Sequence, residues 1–320
     1  MVLLPQTFLS PTITAIDESL ERRQRPRHQR RLSGSMIGRS CERSIWYQFR
    51  WAYEPERHSG RMLRLFQTGH LEEPRAFDNL RAAGVRCSDR DPETGDQWTW
   101  EALDGHFVVK ADGRGHGFVE AWKAEHVIGI KTHNDKSFLQ LTRVGVAVAK
   151  PEHVVQAQAE MHCSGIHRFF YYAKNKNDDA IYGERIRYDA TQAIGIMAKV
   201  ERILHAVRPP AKVSDDADDF RCRFCSARSV CHEGVFAPRN CRTCLHSTPV
   251  MGGEAAWHCE KHGSALLLSD QEMGCPDHLF IPELVPGDQI DVSPDESTVT
   301  YRMPDGSSWI DGGNDSEAAA

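Results

Sequence analysis

The chain has 320 residues, 40% of them hydrophobic, enough to bury one sizeable core with room for a small second unit. It contains no run of about 18 apolar residues, and its start leads into no apolar stretch with a small-residue cleavage site, so neither a membrane span nor a signal peptide fits and a cytoplasmic location is expected. The net charge of -6 is uneven: residues 281 to 320 hold nine acids against Arg302 alone, which leaves residues 1 to 280 at +2, able to meet a polyanion without being strongly basic.

In chain order, ERRQRPRHQRR at 21 to 31 packs six arginines beside a proline and reads as a flexible basic arm, so residues 1–32 are set apart and the compact fold is expected from Ser33. From Ser40, Ile45, Phe49 and Tyr53 recur at four-residue spacing and predict an amphipathic helix capped by Ser40. A second helix, RMLRLFQTGHLEE, runs into Pro74, which should bend or restart it. Short β-favouring runs follow at 97 to 103, 106 to 112 and 126 to 132, separated by Gly- and Asp-rich turns. Then VVQAQAEMHCSG predicts a helix, RFFYYAK and ERIRYD a strand pair, and TQAIGIMAKVERILHAV a long helix. The order predicts an α/β fold, a mixed central sheet flanked by helices, spanning 33–235. After Pro209 and Pro210 the composition changes: a cysteine-rich unit is expected over 236–285 and an acidic tail over 286–320, with one hairpin around TVTYRMPDGSSWI and a loose extreme C-terminus.

Seven of the ten cysteines lie between Cys222 and Cys275. Without a secretion signal, such clustering points to metal ligands rather than disulfides. Cys222, Cys225 and Cys231 form C-x2-C-x5-C, and Cys41 is a candidate fourth ligand that would pin the first helix to the end of the core. Four thiolates suit a 4Fe-4S cluster or a structural zinc, and softness alone does not separate the two. Cys241, Cys244, Cys259 and Cys275 resemble a zinc-ribbon-like knuckle, with His258, His262 and His278 as possible substitute ligands. Cys87 and Cys163 read as core residues.

Hydrolysing a phosphodiester with divalent cations needs hard oxygen ligands, an attacking water and a positive group near the developing charge. His70 and Glu73 share a helical face at i, i+3. Asp112 ends a strand at an Asp-Gly turn, Lys131 follows on the next strand, and Gln156 stands on a helix after it. Singly, each is an ordinary surface residue. Their joint order, enclosed by Cys41 and the late cysteine trio, resembles the RecB-type branch of the PD-(D/E)XK nucleases that carry an iron-sulfur cluster. KTHNDKSF and FRCRFC look most like phage exonucleases of that group, which is similar to AddB-type and CRISPR-adaptation exonucleases.

The resemblance covers roughly residues 33 to 235. It implies a DNA exonuclease of phage-type recombination or repair, using Mg2+ or Mn2+, with an iron-sulfur cluster on Cys41, Cys222, Cys225 and Cys231 and a recombinase or single-strand annealing protein as partner. It implies that His70 and Asp112 bind the metal, Lys131 orients water and stabilises charge, Gln156 lies beside DNA or the metal shell, and Glu73 is the acid of the first motif. Two departures stand out: the metal-binding acid of the lysine strand is Gly129, and the aromatic expected four residues after Gln156 is Glu160. The missing carboxylate makes a catalytically weakened DNA-binding or assembly module the alternative. Among substitutes, Glu125 is about 13 Å along the strand and Glu120 cannot be placed. Glu160, one helical turn after Gln156, is the more interesting substitute, because a helix over the sheet could present it to the site; its plain reading is a solvated helix carboxylate.

Overall fold

The computed structural model describes residues 10–312. The elements are α1 (Pro11–Arg23), β1 (Leu32–Ser33), α2 (Gly34–Ile37), α3 (Glu42–Phe49), α4 (Gly60–Ala82), β2 (Arg86–Ser88), β3 (Thr99–Ala102), β4 (Phe107–Lys110), β5 (Gly113–His116) and β6 (His126–His133). They continue with α5 (Asp135–Ala149), α6 (Pro151–Ser164), β7 (Arg168–Asn175), β8 (Ile181–Arg187), α7 (Ala190–His205), α8 (Arg228–His232), β9 (Ser247–Pro249), β10 (Trp257–Cys259), β11 (Ser264–Ala265), α9 (Leu268–Met273), β12 (Asp288–Val292), β13 (Val299–Arg302) and β14 (Ser308–Asp311). No helix among the described residues is long and apolar enough to cross a membrane.

The central sheet has the order β2-β5-β6-β7-β8 and is mixed, with β6 and β7 parallel and the other pairs antiparallel. Strand alternation assigns its faces. Ile128 and Ile130 of β6 pack with Phe170 and Tyr172 against Ala76, Phe77 and Leu80 of α4. Val127, Phe169, Tyr171 and Ala173 point the other way, onto Phe138 and Leu141 of α5 and Ala157 and Met161 of α6. Helices thus cover both faces of an α/β sheet, as the element order predicts. A second sheet, β1-β4-β3, is formed by the early strands.

Four regions differ from expectation. The arginine-rich segment starts within an ordered helix: α1 pairs Asp17 with Arg64 of α4, and Glu21 accepts the Gly60 amide at 2.7 Å. His28 stacks on Trp51, and Leu32 pairs in a sheet, so order begins well before Ser33. Residues 1–9 lie outside the described residues. Secondly, α4 runs through Pro74 without restarting. Proline removes the hydrogen bond to the His70 carbonyl, and packing of Ala76 and Phe77 with the Lys174–Glu72 ion pair anchors the helix beside it. Thirdly, the acidic segment folds: β12, β13 and β14 form an antiparallel sheet that includes the expected hairpin, and buried Asp311 accepts the Phe280 amide at 2.5 Å. The extreme C-terminus, 313–320, lies outside the described residues.

The cysteine-rich segment is not a free-standing knuckle either. Trp257, Phe280, Ile281 and Leu284 belong to the same apolar cluster as Ile45, Trp46 and Phe49 of α3 and Val200 and Ile203 of α7. A segment too short to build its own core has merged with the large one.

Candidate active site and cysteine centres

The β5–β6 ladder ends with Gly113 opposite Ile128. Just beyond, the Asp112 carboxylate accepts the Ile130 amide at 2.6 Å. This fixes Asp112 Oδ2 3.9 Å from the Lys131 ammonium, both groups remaining partly open to solvent. Helix α4 is held to β7 by Lys174, 2.6 Å from Glu72, and by Asn79, which donates to the Tyr172 hydroxyl. The same helix carries Glu73 within electrostatic reach of Asp112 and Lys131. Burial, then Asp112, raises the Glu73 pKa, while His70 and Lys131 pull against them. His70 Nδ1 lies 3.7 Å from Glu73 Oε1, with its ring mostly in solvent.

From the other face α6 brings Gln156, whose amide donates to Glu160 Oε1 at 2.7 Å. Glu160 is only 1% exposed. Burial pushes its pKa up to about 8, with Asp112 adding to the effect and Lys131 and Gln156 opposing it. The sequence-predicted residues Glu73, Asp112, Lys131 and Gln156 therefore share one region with His70 at its rim, and Glu160 is inside it rather than solvated.

Gly129 sits on the same strand face as Lys131, with no room beside it. A Cβ there would overlap Phe169 Cζ and lie 2.9 Å from Cε1. Since Phe169 is itself buried in the core, a glutamate at 129 cannot simply be added.

Sequence reasoning missed a neighbouring polar cluster. The Tyr171 hydroxyl lies 2.7 Å from His153 Nδ1 and 3.1 Å from His133 Nε2, and His133 Nδ1 reaches Ser137 at 2.9 Å. Burial, with Lys150, Lys176 and Lys131, holds His133 at about 4. Burial, with Lys131, His133 and Lys150, holds His153 at about 3. No spacing rule links these residues, because the sheet register brings them together.

Cys41, Cys222, Cys225 and Cys231 line one pocket together with Arg43, Lys212 and Arg221. Four soft donors among cations fit an anionic metal centre. Cys241, Cys244, Cys259 and Cys275 line another, with His246, His262 and His278. Burial raises Cys241 to about 11, and Cys275, Cys244 and Cys259 add to that shift. Among the described residues, one trio of potential ligands lies within 4.8 Å throughout: His262, Cys275 and Asp277. The acids around Lys131 and the other sulfurs are more widely spread.

Beside the second pocket lie two buried arginines. Arg50 donates to the Ser247 carbonyl at 2.9 Å, and its Nε has no partner. Arg242 donates to Phe49 O, Arg30 O and Gln271, and its guanidinium stacks over Trp51 at 4.0 Å and Trp257 at 4.5 Å. Burial holds Arg50 at about 10, with Cys244 opposing, and holds Arg242 well below its usual value. Four thiolates around a dication carry two negative charges, the complement of two guanidiniums.

No protein-family model matches the chain, and no curated protein matches it. Among solved structures it is similar to an alkaline exonuclease, LHK-Exo, from Laribacter hongkongensis, at 17% identity and a TM-score of 0.40 over 58% of this chain and 90% of that one. The LHK-Exo complex with dAMP gives 15% identity and a TM-score of 0.41 over 60% and 90%. SSO0001 gives 14% and 0.39 over 69% and 95%. Likeness this slight transfers no activity to this chain.

Proposed function

We propose that the chain is a divalent-metal-dependent deoxyribonuclease, acting as an exonuclease in phage-type recombination or repair. The observation that carries this reading is the convergence of Glu73, Asp112, Lys131 and Gln156 from α4, the β4–β5 turn, β6 and α6 on one end of the central sheet. Magnesium or manganese, when bound, supplies Lewis acidity and a more acidic water. Asp112 and Glu73 would hold the ion with His70 at the rim, Lys131 would neutralise charge developing on the phosphate, and Gln156 would face DNA.

Cys41, Cys222, Cys225 and Cys231 would hold a 4Fe-4S cluster that clasps α3 to α8, and Cys241, Cys244, Cys259 and Cys275 a structural zinc, with Arg50 and Arg242 balancing its charge. The test is degradation of end-labelled linear duplex and single-stranded DNA with magnesium or manganese. Asp112→Asn and Lys131→Ala should each lower the rate by about 100-fold or more. Equal rates in all three proteins would remove these residues from the chemistry.

The second reading, a weakened nuclease fold that binds DNA or an annealing protein, is favoured by one observation, the Phe169 ring lying where a carboxylate at 129 would start. Under it the wild type binds DNA without degrading it.

A further inference from the structure

The site as assembled from Glu73 and Asp112 is short of oxygen ligands, because β6 offers hydrogen where a third carboxylate would project. The nearby acids are mostly committed elsewhere. Glu125 pairs with Arg114 at 2.6 Å, and Glu184 accepts the Val146 amide at 2.8 Å and the Tyr182 hydroxyl at 2.6 Å. Glu72 is held by Lys174 and Arg75. Glu120 belongs to the turn at Val119–Ala121, whose carbonyl at 120 receives Arg185.

Glu160 is the exception. It lies inside α6, flanked by Ala159 and Met161, both fully buried, and its hydrogen-bond partner is the amide of Gln156 one turn earlier. A carboxylate is costly to bury unless it is paired with a cation or coordinates a metal. A structural role does not require it, since an apolar residue or a glutamine would fill the same helix position without that cost. Its nearby charges, Lys131 and Asp112, are those of the candidate site.

We propose that Glu160 supplies the divalent-ion carboxylate that β6 lacks at Gly129, so that the oxygen ligand reaches the ion from the helix above the sheet while Phe169 fills the vacated strand position. The proposal rests on the nuclease reading for the location of the ion. It accounts for the two departures of the sequence together: an acid is lost at 129 and an acid is gained at 160, on elements packed against each other. The three acids stand farther apart than ligands of one ion, so binding would draw Glu73 and Glu160 toward Asp112, which the Ile130 amide already holds.

The test is manganese binding to the full-length protein, followed by electron paramagnetic resonance of the free ion, in parallel with DNA degradation. Wild type, Glu160→Gln and Asp112→Asn are compared. Glutamine keeps the size of the side chain and can still accept from Gln156, so the metal-free melting temperature should hold or rise. The expected result is at least a tenfold weaker manganese affinity in Glu160→Gln, as in Asp112→Asn, with Glu160→Asp intermediate. Unchanged affinity in Glu160→Gln alongside loss in Asp112→Asn would overturn the role of Glu160 and leave the nuclease reading standing. Loss of binding in both variants, with a wild type that binds manganese but degrades no DNA, would support the ligand and overturn the nuclease reading. A wild type that binds no manganese overturns both. Should Glu160→Gln melt far below wild type, Glu160→Met settles the matter: restored folding with lost manganese binding supports the proposal, and restored folding with wild-type affinity overturns it.

Discussion

At the scale of single residues, the two histidines against Tyr171 give the molecule an acid sensitivity. Their folded pKa values lie below the ordinary 6.5, at about 4 for His133 and about 3 for His153, both chiefly through burial. The stability they confer is fully present above pH 6.5, where folded and unfolded chains are both neutral. It is lost as pH falls toward those folded values, because only the unfolded chain takes up protons in that window. Each contributes a slope of about 1.4 kcal/mol per pH unit there. Urea unfolding of His153→Gln at pH 4, 5 and 6 should show a shallower fall than wild type by about one proton, and equal slopes would mean that water reaches His153 in the folded state. Of the candidate site, the motif residues were legible from type and order alone. Glu160 was legible only as a candidate substitute, since a glutamate one turn after a glutamine reads equally as solvated until the helix is placed over the sheet.

Among the elements, those with clean periodicity were legible: α3, α4, α6 and α7 by their apolar spacing, and β4, β6, β7 and β8 by their β-branched and aromatic runs. The missed ones lack that signal. Strand β5 reads GRGH, its glycines lying close against Phe77 and Cys87, and β2 is three residues long. Helix α5 hides behind a polar start, although Asn134 caps it by accepting the Ser137 amide at 2.9 Å. Helix α1 contains no buried residue and is held by charge and close backbone approach. That approach is testable. A Cβ at Gly60 would stand 2.5 Å from the Asp17 Cα, so Gly60→Ala must push α1 off α4. A loss of about 1–3 kcal/mol is expected, together with trypsin cleavage between Arg22 and Arg31 that wild type resists. Unchanged stability and digestion would show that α1 tolerates displacement.

For the whole molecule, the late segment is part of the frame. Arg242 reaches the carbonyls of Arg30 and Phe49, and Arg50 reaches Ser247 in return. If the second cysteine group holds zinc, as proposed, stripping the metal would leave two guanidiniums buried beside an uncharged pocket. Chelation, or Cys259→Ser, should therefore lower the melting temperature of the entire protein by roughly 10 °C or more in one cooperative transition. A separate minor transition, with the central sheet unaffected, would restore the picture of an independent knuckle. The same crossing has a consequence for biosynthesis. Trp46, Phe49 and Trp51 emerge from the ribosome early, but the partners that cover them, Arg242, Trp257 and Phe280, are made some two hundred residues later. A nascent chain halted near residue 235 should expose that aromatic face and recruit a holdase chaperone, and release should come only once the final quarter has been translated.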